Sequence, residues 1–389
     1  MEFAGALGDL GTLIPIFIAL VAINGLNPTV ILLLVGLLYI SCGLYYNLPI
    51  PVQPLKAVAA IAIASGLSAS VISAAGILMG IILLFLAISG LANFLVRIFN
   101  RAIVRGIQLG VGLMLIRTSW TLIAKPISVN SQTGLLSIGN GISFDLLVLF
   151  GGIIIMLIFL CNRRFPASTG ILSFGIMVSI LNGQANALRI PFFATQKFSL
   201  SIPGFDDFIK AFFLLVIPQL PLTLGNAIVA TKDGAKRYFG KQAYKVTGRS
   251  LSVGMGITNI IAGLTAGMPV CHGSGGLTAH YRFGARTGGA CIIIGSLFLG
   301  LSLIFGRGVS EIFKIIPHSI LGIMLFYVGF RHALLITDLK EKKELLIALG
   351  VGIIALFTRN LAIAYGFGMI LWYSLRVVQK TLIKKPLIP

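Results

Sequence analysis

Of 389 residues, 57% are hydrophobic and only 10% charged, against roughly 25% charged in soluble domains, and the mean hydropathy is +1.02. These values exclude the soluble class and point to a polytopic membrane protein. The net charge of +20 does not make a nucleic-acid binder, because the basic residues fall in short loops between apolar runs instead of on one soluble face.

Taken in chain order, the first stretch, "MEFAGALGDLGTLIPIFIALVAI", carries Glu2 and Asp9 and lacks the basic start of a signal peptide, so it reads as a membrane span. Breaks at Gly, Pro and charged residues then divide the chain into spans near 8–24, 29–46, 50–65, 69–92, 102–122, 143–161 and 166–182, followed by 209–230, 245–266, 268–281, 288–306, 317–336, 344–358 and 360–378. This predicts an all-α polytopic membrane protein of about 14 spans. Runs such as "VISAAGILMGIILLFLAISGLA" and "FDLLVLFGGIIIMLIFLC" are long enough for a hydrocarbon core of about 30 Å. The cysteines, Cys42, Cys161, Cys271 and Cys291, lie in or beside apolar segments without C-x-x-C spacing, which predicts small hydrophobes instead of a disulfide framework or a zinc site.

Orientation follows from the cations. With a cytoplasmic N-terminus, Arg97/Arg101/Arg105, Arg163/Arg164, the cluster from Lys232 to Arg249, Arg282/Arg286, the run Lys340 to Lys343 and Lys380/Lys384/Lys385 all fall inside, as the positive-inside bias requires. Outer loops keep only Lys125, Arg189, Lys197 and Arg307. The expectation is a plasma-membrane protein with both termini cytoplasmic and an even number of crossings.

Two spans are too short for uninterrupted helices. The third, "PIPVQPLKAVAAIAIAS", and the tenth, "MPVCHGSGGLTAH", both open with Pro-Val, and "IPVQPLK" (50–56) aligns with "MPVCHGS" (268–274). Upstream, "GDLGTLIP" is related to "PQLPLTLGN"; downstream, "IQLGVGL" parallels "SILGIML". The chain therefore reads as two repeats, 1–182 and 209–389, joined by a loop at 183–208. An odd number of spans per repeat, about seven, inverts one copy relative to the other, and paired interrupted helices in inverted repeats are the pattern of secondary transporters that bind substrate at the midplane. Non-helical backbone at that depth needs protein or a water-filled cavity around it, so 268–276 is expected to be an extended lead-in and helix start, with 50–56 its counterpart.

A helix that begins inside the membrane presents unpaired N–H groups and about half a positive charge; two such starts facing each other suit a small oxyanion. In the second repeat Gly273, Gly275 and Gly276 allow close approach and Ser274 and His272 offer hydrogen bonds, with Cys271 just before them. In the first, Gln53 offers an amide and Lys56 a full charge. Intramembrane ionisable groups are functional by default, yet Lys56 also suits snorkelling or pairing with Asp9, His272 suits helix capping, and Gln53 and Ser274 suit satisfying local backbone. Gln219, Thr223 and Asn226 in "PQLPLTLGNAIVA" line the site or serve as interhelical glue. Topology already explains Arg282 and Arg286, which together with His280 are left out of the site, and His318 and His332 have no evident polar partners. Asp9 reads as a proton carrier, a counter-ion to Lys56 or a cap at the start of span one. Some coupling is required, since importing a dianion against about −100 mV costs about 4.6 kcal/mol, a ~10³-fold handicap.

The motifs "GALGDLGTLIP", "PVQPLKAVAA", "PQLPLTLGNAI" and "MPVCHGSGGLTAHYRFGARTGG", in this order over nearly the whole chain, resemble the molybdate transporter family, related to the sulfate permeases. The resemblance implies a seven-plus-seven inverted-repeat fold with a substrate-carrying core (1–97 plus 209–306) and a gate (98–208 plus 307–389), elevator-like alternating access, and an anion held at Gln53 to Ala57 and Cys271 to Gly275. It implies molybdate as substrate, with sulfate or tungstate as further cargo. Sulfate permeases usually continue into a soluble cytoplasmic domain, whereas this chain stops at Pro389, which fits the molybdate branch and leaves no soluble partner to expect. Relatives of the fold dimerise through the gate, so a homodimer is a further expectation, although no feature of this sequence requires it. The expected partners are thus the oxyanion and the bilayer, with no cofactor, metal or nucleic acid.

Other functions stand beside this one. A nucleobase permease on the same fold would use carboxylates in spans eight and ten, where this chain has Gln219 and Asn226 and no acid in span ten. A general sulfate carrier and an anion channel fit the same fold, while an enzyme lacks a nucleophile and base in usable spacing, because Cys271 and His272 are adjacent and point apart.

Overall fold

The computed structural model describes residues 2–91, 100–124, 144–161, 167–183, 191, 200 and 202–383. The expected outer cations Lys125, Arg189 and Lys197, the inner Arg97, Arg163, Arg164, Lys384 and Lys385, and most of the 183–208 connection lie outside these residues.

The first half runs through α1 (Glu2–Asn24), α2 (Pro28–Tyr46), the two-residue strand β1 (Gln53–Pro54), α3 (Lys56–Ser65), α4 (Ala69–Ser89), α5 (Arg101–Ile123), α6 (Phe144–Cys161) and α7 (Ala167–Leu181). The second contains α8 (Phe205–Lys245), α9 (Gly248–Leu264), β2 (Val270–Cys271), α10 (Ser274–Arg282), α11 (Gly289–Phe305), α12 (Gly308–Lys314), α13 (His318–Asp338), α14 (Lys342–Thr358) and α15 (Leu361–Ile383). Among the described residues, six helices, namely α1, α2, α4, α5, α8 and α13, are long and apolar enough to cross a membrane, and shorter apolar helices fill in between.

Local chemistry sets the boundaries. Asn27 caps α2 by accepting from the amides of Thr29 and Val30, with Pro28 in the first turn; Ser68 caps α4 and Asn100 caps α5, each side-chain oxygen taking an amide that the helix start leaves unpaired. Gly25, Gly66 and Gly90 end α1, α3 and α4 in the left-handed conformation, which costs glycine no Cβ strain.

Several boundaries differ from the sequence expectation. Span one begins at Glu2 and not near residue 8, because the Glu2 carboxylate accepts from the backbone N–H groups of Arg286 and Thr287 and ties the first turn to the α10–α11 loop. The eighth helix does not stop at 230; it continues into the basic segment as far as Phe239, where Gly240 leaves helical geometry (φ 56°) and a short 3₁₀ segment carries the chain to Lys245. Pro218 and Pro221 cannot donate backbone hydrogen bonds, and α8 accommodates them with π-helical turns at Phe212–Val216 and Thr223–Ala230. The third and tenth spans are helical only over 56–65 and 274–282, each entered through extended backbone.

Those extended entries meet. β1 pairs antiparallel with β2, Gln53 opposite Cys271 and Pro54 opposite Val270, and the Leu55 amide donates to Pro269 O at 3.0 Å. Asn259 of α9 takes the place of a further strand, its amide bonding Val270 O (2.9 Å) and Val270 N (2.6 Å), so buried backbone is satisfied by a side chain where no water is available. Around this centre, helices of the first half pack against helices of the second: α2 on α11, α4 on α9 and α5 on α13. The crossings close at facing glycines. A Cβ on Gly36 would lie 2.8 Å from Gly295 O, one on Gly80 2.7 Å from Gly256 O, and one on Gly112 2.5 Å from Gly329 O, the small-residue contact that apolar helices in lipid use to approach closely.

Candidate functional site

Asp9 sits where α1 tightens into a 3₁₀ turn at Leu7–Asp9, and it is 2% exposed. Its side chain makes no capping bond to α1, so the cap expected from the sequence is not formed. The carboxylate instead accepts from Gln53 Nε2 and, at 3.4 Å, from Tyr39 Oη. Nor is Asp9 in an ion pair with Lys56; among the described residues the ion pairs are Arg101–Asp338 and Arg105–Asp338. A buried carboxylate needs hydrogen-bond donors when no cation touches it, and Gln53 and Tyr39 provide them.

Helix α10 packs directly on this pair. A Cβ on Gly276 would lie 2.7 Å from Asp9 Oδ2, Gln53 Nε2 and Pro51 Cβ, and one on Gly273 would overlap Gln53 Oε1. These glycines let the first turn of α10 lie against the Asp9–Gln53 unit, while Gly275 has open space around it and faces the cavity.

The two half-helices do not present equivalent ends. At α3, Gln219 Oε1 of α8 accepts from the amides of Ala57 (2.8 Å) and Val58 (3.3 Å), and Gln219 Nε2 donates to Thr223 Oγ1 at 3.0 Å. Two of the N–H groups expected to face the anion are therefore already capped, and at this end Lys56 supplies the positive charge. At α10, Ser274 Oγ donates to Asn226 Oδ1 at 2.6 Å, and the first turn opens towards the cavity at Gly275.

The cavity encloses about 660 Å³ between α1, α3, α8 and α10 on one side and α5 and α13 on the other. Of the residues singled out from the sequence, Gln53, Lys56, Asn226, Ser274 and Gly275 line it; Gln219 and Cys271 border a small adjoining void next to Lys56. Thr223 and His272 are fully buried behind this surface. His272 Nδ1 lies 2.8 Å from Pro51 O, and its ring stands edge-on to Tyr46, so it joins the two extended lead-ins. Cys271 Sγ lies 3.5 Å from Pro54 O.

The sequence reading missed the far wall. Gln108 of α5 and Tyr327, Arg331 and His332 of α13 line the cavity, and Arg101 and Arg105 guard its mouth with Arg282 of α10. Topology accounts for Arg101, Arg105 and Arg282 in the sequence, whereas Arg331 and Gln108 are unmarked there within apolar helices; only proximity to Lys56 distinguishes Gln108. His332, for which the sequence suggested no polar partner, has Nδ1 2.9 Å from Val328 O one turn earlier. His318 likewise has a partner. His280, left out of the site, is buried with Nδ1 2.7 Å from Gly5 O, pinning α10 to α1. Arg286 stacks on Tyr281 at 3.9 Å.

Lys56, Arg101, Arg105, Arg282 and Arg331 thus face one cavity whose lining, among the described residues, includes no carboxylate. Walls of one sign and low polarity focus field lines and concentrate the opposite charge. Short helices entered from a shared strand pair, set in a bundle of apolar helices over a cation-lined cavity, define an integral membrane transporter for anions.

The chain belongs to the molybdate transporter family: the pattern described as "Molybdate transporter of MFS superfamily" matches residues 1–115 and 211–331. Molybdate transporter 2 of Arabidopsis thaliana is 29% identical over 97% of this chain and 87% of its own length, and Molybdate transporter 1 of the same plant is 30% identical over 96% and 88%. Among solved structures, the transmembrane domain of the cyanobacterial bicarbonate transporter BicA superposes with a TM-score of 0.69 at 16% identity, covering 94% of this chain and 96% of that one. The murine Solute Carrier 26 family member A9 anion transporter gives 0.68 at 14% identity, covering 97% and 68%. At these identities the last two speak for the fold alone.

Proposed function

We propose that the protein imports a tetrahedral oxyanion, molybdate first, with sulfate or tungstate as further cargo, by alternating access in which a core carrying α1, α3, α8 and α10 moves against a gate carrying α5 and α13. The observation that carries this reading is the position of Lys56: the first residue of a half-helix, facing a cavity with no lining carboxylate among the described residues, beside the open N-terminal turn of α10. The relatives bearing the name molybdate transporter, similar over nearly their whole length, favour molybdate among oxyanions.

The inverted repeat of about seven spans per half, in two units of 1–182 and 209–389, belongs to the same proposal and is supported by the packing. Exchanging the halves carries α2 on α11 into α9 on α4, and both contacts occur. Core (1–97 plus 209–306) and gate (98–208 plus 307–389) are then the bodies that separate. The large cavity opens at the N-terminal end of α5, beside Arg101, and a second pocket of about 200 Å³ lies at its other end, beside Thr118 and Leu122. With both termini cytoplasmic in the plasma membrane, the large cavity faces the cytoplasm.

Asp9 is the proposed proton carrier. It lies one hydrogen bond from Gln53, which lines the cavity, so its protonation state changes the group beside the anion. A homodimer through the gate completes the proposal.

The test is uptake of molybdate at micromolar concentration into liposomes holding the purified protein, with and without an inward proton gradient and against excess sulfate. Saturable uptake that resists sulfate and rises with the gradient is expected. Uptake abolished by equimolar sulfate would reassign the protein to general sulfate carriage, and uptake indifferent to the gradient would remove proton coupling.

A further inference from the structure

Gln108 is one turn along α5 from Arg105, 6% exposed, and lines both the large cavity and the small void beside Lys56, Gln219 and Asn226. Arg105 is itself held: its Nε lies 3.0 and 3.1 Å from the two carboxylate oxygens of Asp338, and its Nη2 also donates to that carboxylate. The remaining Nη1 donates to Gln108 Oε1 at 2.7 Å. A primary amide has an accepting oxygen and a donating NH₂ on opposite sides, and a guanidinium can only donate. With its oxygen taken by Arg105, Gln108 must turn its NH₂ the other way, and among the described residues no acceptor meets it.

We infer that Gln108 is an oxyanion-contacting residue supplied by the wall opposite the half-helices, and that the Asp338–Arg105 pair is the positioning device that keeps its donor end towards the cavity. The inference rests on the reading of this cavity as an oxyanion path and deepens it. A free amide rotates by half a turn to offer an anion either end; one locked by an arginine offers only its donor, so Arg105 serves the anion indirectly even though its own charge is engaged by Asp338. Lys56 and Ser274 belong to the proposed core and Gln108 to the gate. An anion touching both walls is held by both only while the cavity is open as in this structure, so Gln108 sets the affinity felt from the cavity side and not from the opposite face.

The experiment compares molybdate KM from each face in oriented vesicles for the wild type, Gln108→Ala, Gln108→Glu and Arg105→Lys, with molybdate binding to the purified proteins by calorimetry. Gln108→Ala is expected to raise KM on the cavity side roughly tenfold or more, the usual effect of losing a hydrogen bond to a charged group, while KM from the other face changes less than twofold. Gln108→Glu, which replaces the donor with a like charge, loses more. Arg105→Lys, with one compact ammonium where the fork bridged Asp338 and Gln108, falls between the wild type and Gln108→Ala. Equal changes at both faces, or none, overturn the inference while leaving transport intact. If the wild type neither binds nor carries molybdate or sulfate, the oxyanion reading falls first and this one with it.

Discussion

At the scale of single residues, the site is a set of polar groups whose partners decide what remains for a ligand. Gln53 and Ser274 were expected to donate to the anion, yet in this structure they bond Asp9 and Asn226. Gln219, readable from sequence as either glue or lining, caps α3. Of the side chains of the two half-helix starts, the one left free towards the cavity is Lys56, so Lys56→Gln is expected to lower molybdate uptake at subsaturating concentration at least tenfold, since a unit charge about 4 Å from an anion is worth on the order of 4 kcal/mol at an effective dielectric of 20. Lys56→Arg should retain most of it. Initial rates at several concentrations check both. Asp9→Asn removes the proposed titratable group, and its uptake should lose dependence on the proton gradient; a dependence equal to wild type would exclude Asp9 as the carrier. The identities of Asp9, Gln53, Lys56 and Ser274 were legible because polar groups in apolar helices stand out. Their pairings were not, because hydrogen bonds between residues 44, 48 or 162 positions apart leave no periodic trace.

At the scale of elements, broken helices and small-residue crossings do most of the positioning. The Pro-Val openings marked the third and tenth spans, and in the structure both lead-ins are extended and paired. The length of α8 was missed because an amphipathic, lysine-rich stretch after an apolar one looks like a loop, whereas its spacing also suits a helix that leaves the membrane. Glycine contacts make a sharp prediction. Gly112→Leu places side-chain atoms where Gly329 O and Ala333 N lie within 2.7 Å of the first carbon alone, and it should lower stability in detergent by roughly 1–3 kcal/mol or prevent folding. Gly300→Ala, with nothing within 4 Å, should be neutral or slightly stabilising. Thermal denaturation of the two purified variants distinguishes them.

At the scale of the whole molecule, charge and cavity point the same way. Cations line the mouth of the large cavity, and they include those that the positive-inside bias puts in the cytoplasm; the smaller pocket at the other end of α5 has Arg117 and Arg359. A cysteine introduced at Thr278, in the large cavity, should react with a membrane-impermeant thiol reagent from the cytoplasmic side, and one at Thr121, in the small pocket, from outside. Cys42, Cys271 and Cys291 are buried and should add little background. Reversed labelling would invert the proposed orientation.

The sequence by itself determined the membrane class, the segments that break and the residues of unusual polarity, because hydropathy, prolines and isolated charges are properties of position along the chain. The tertiary structure alone decided that α3 is capped and α10 open, that Asp9 answers to Gln53 and Tyr39 instead of Lys56, and that a second wall with Gln108 and Arg331 faces the first. Those relations join elements far apart in the chain, some within one half and some across the two, and the approach of the helices that carry them depends on which glycines meet, which is set by three-dimensional packing and not by any pattern within one segment.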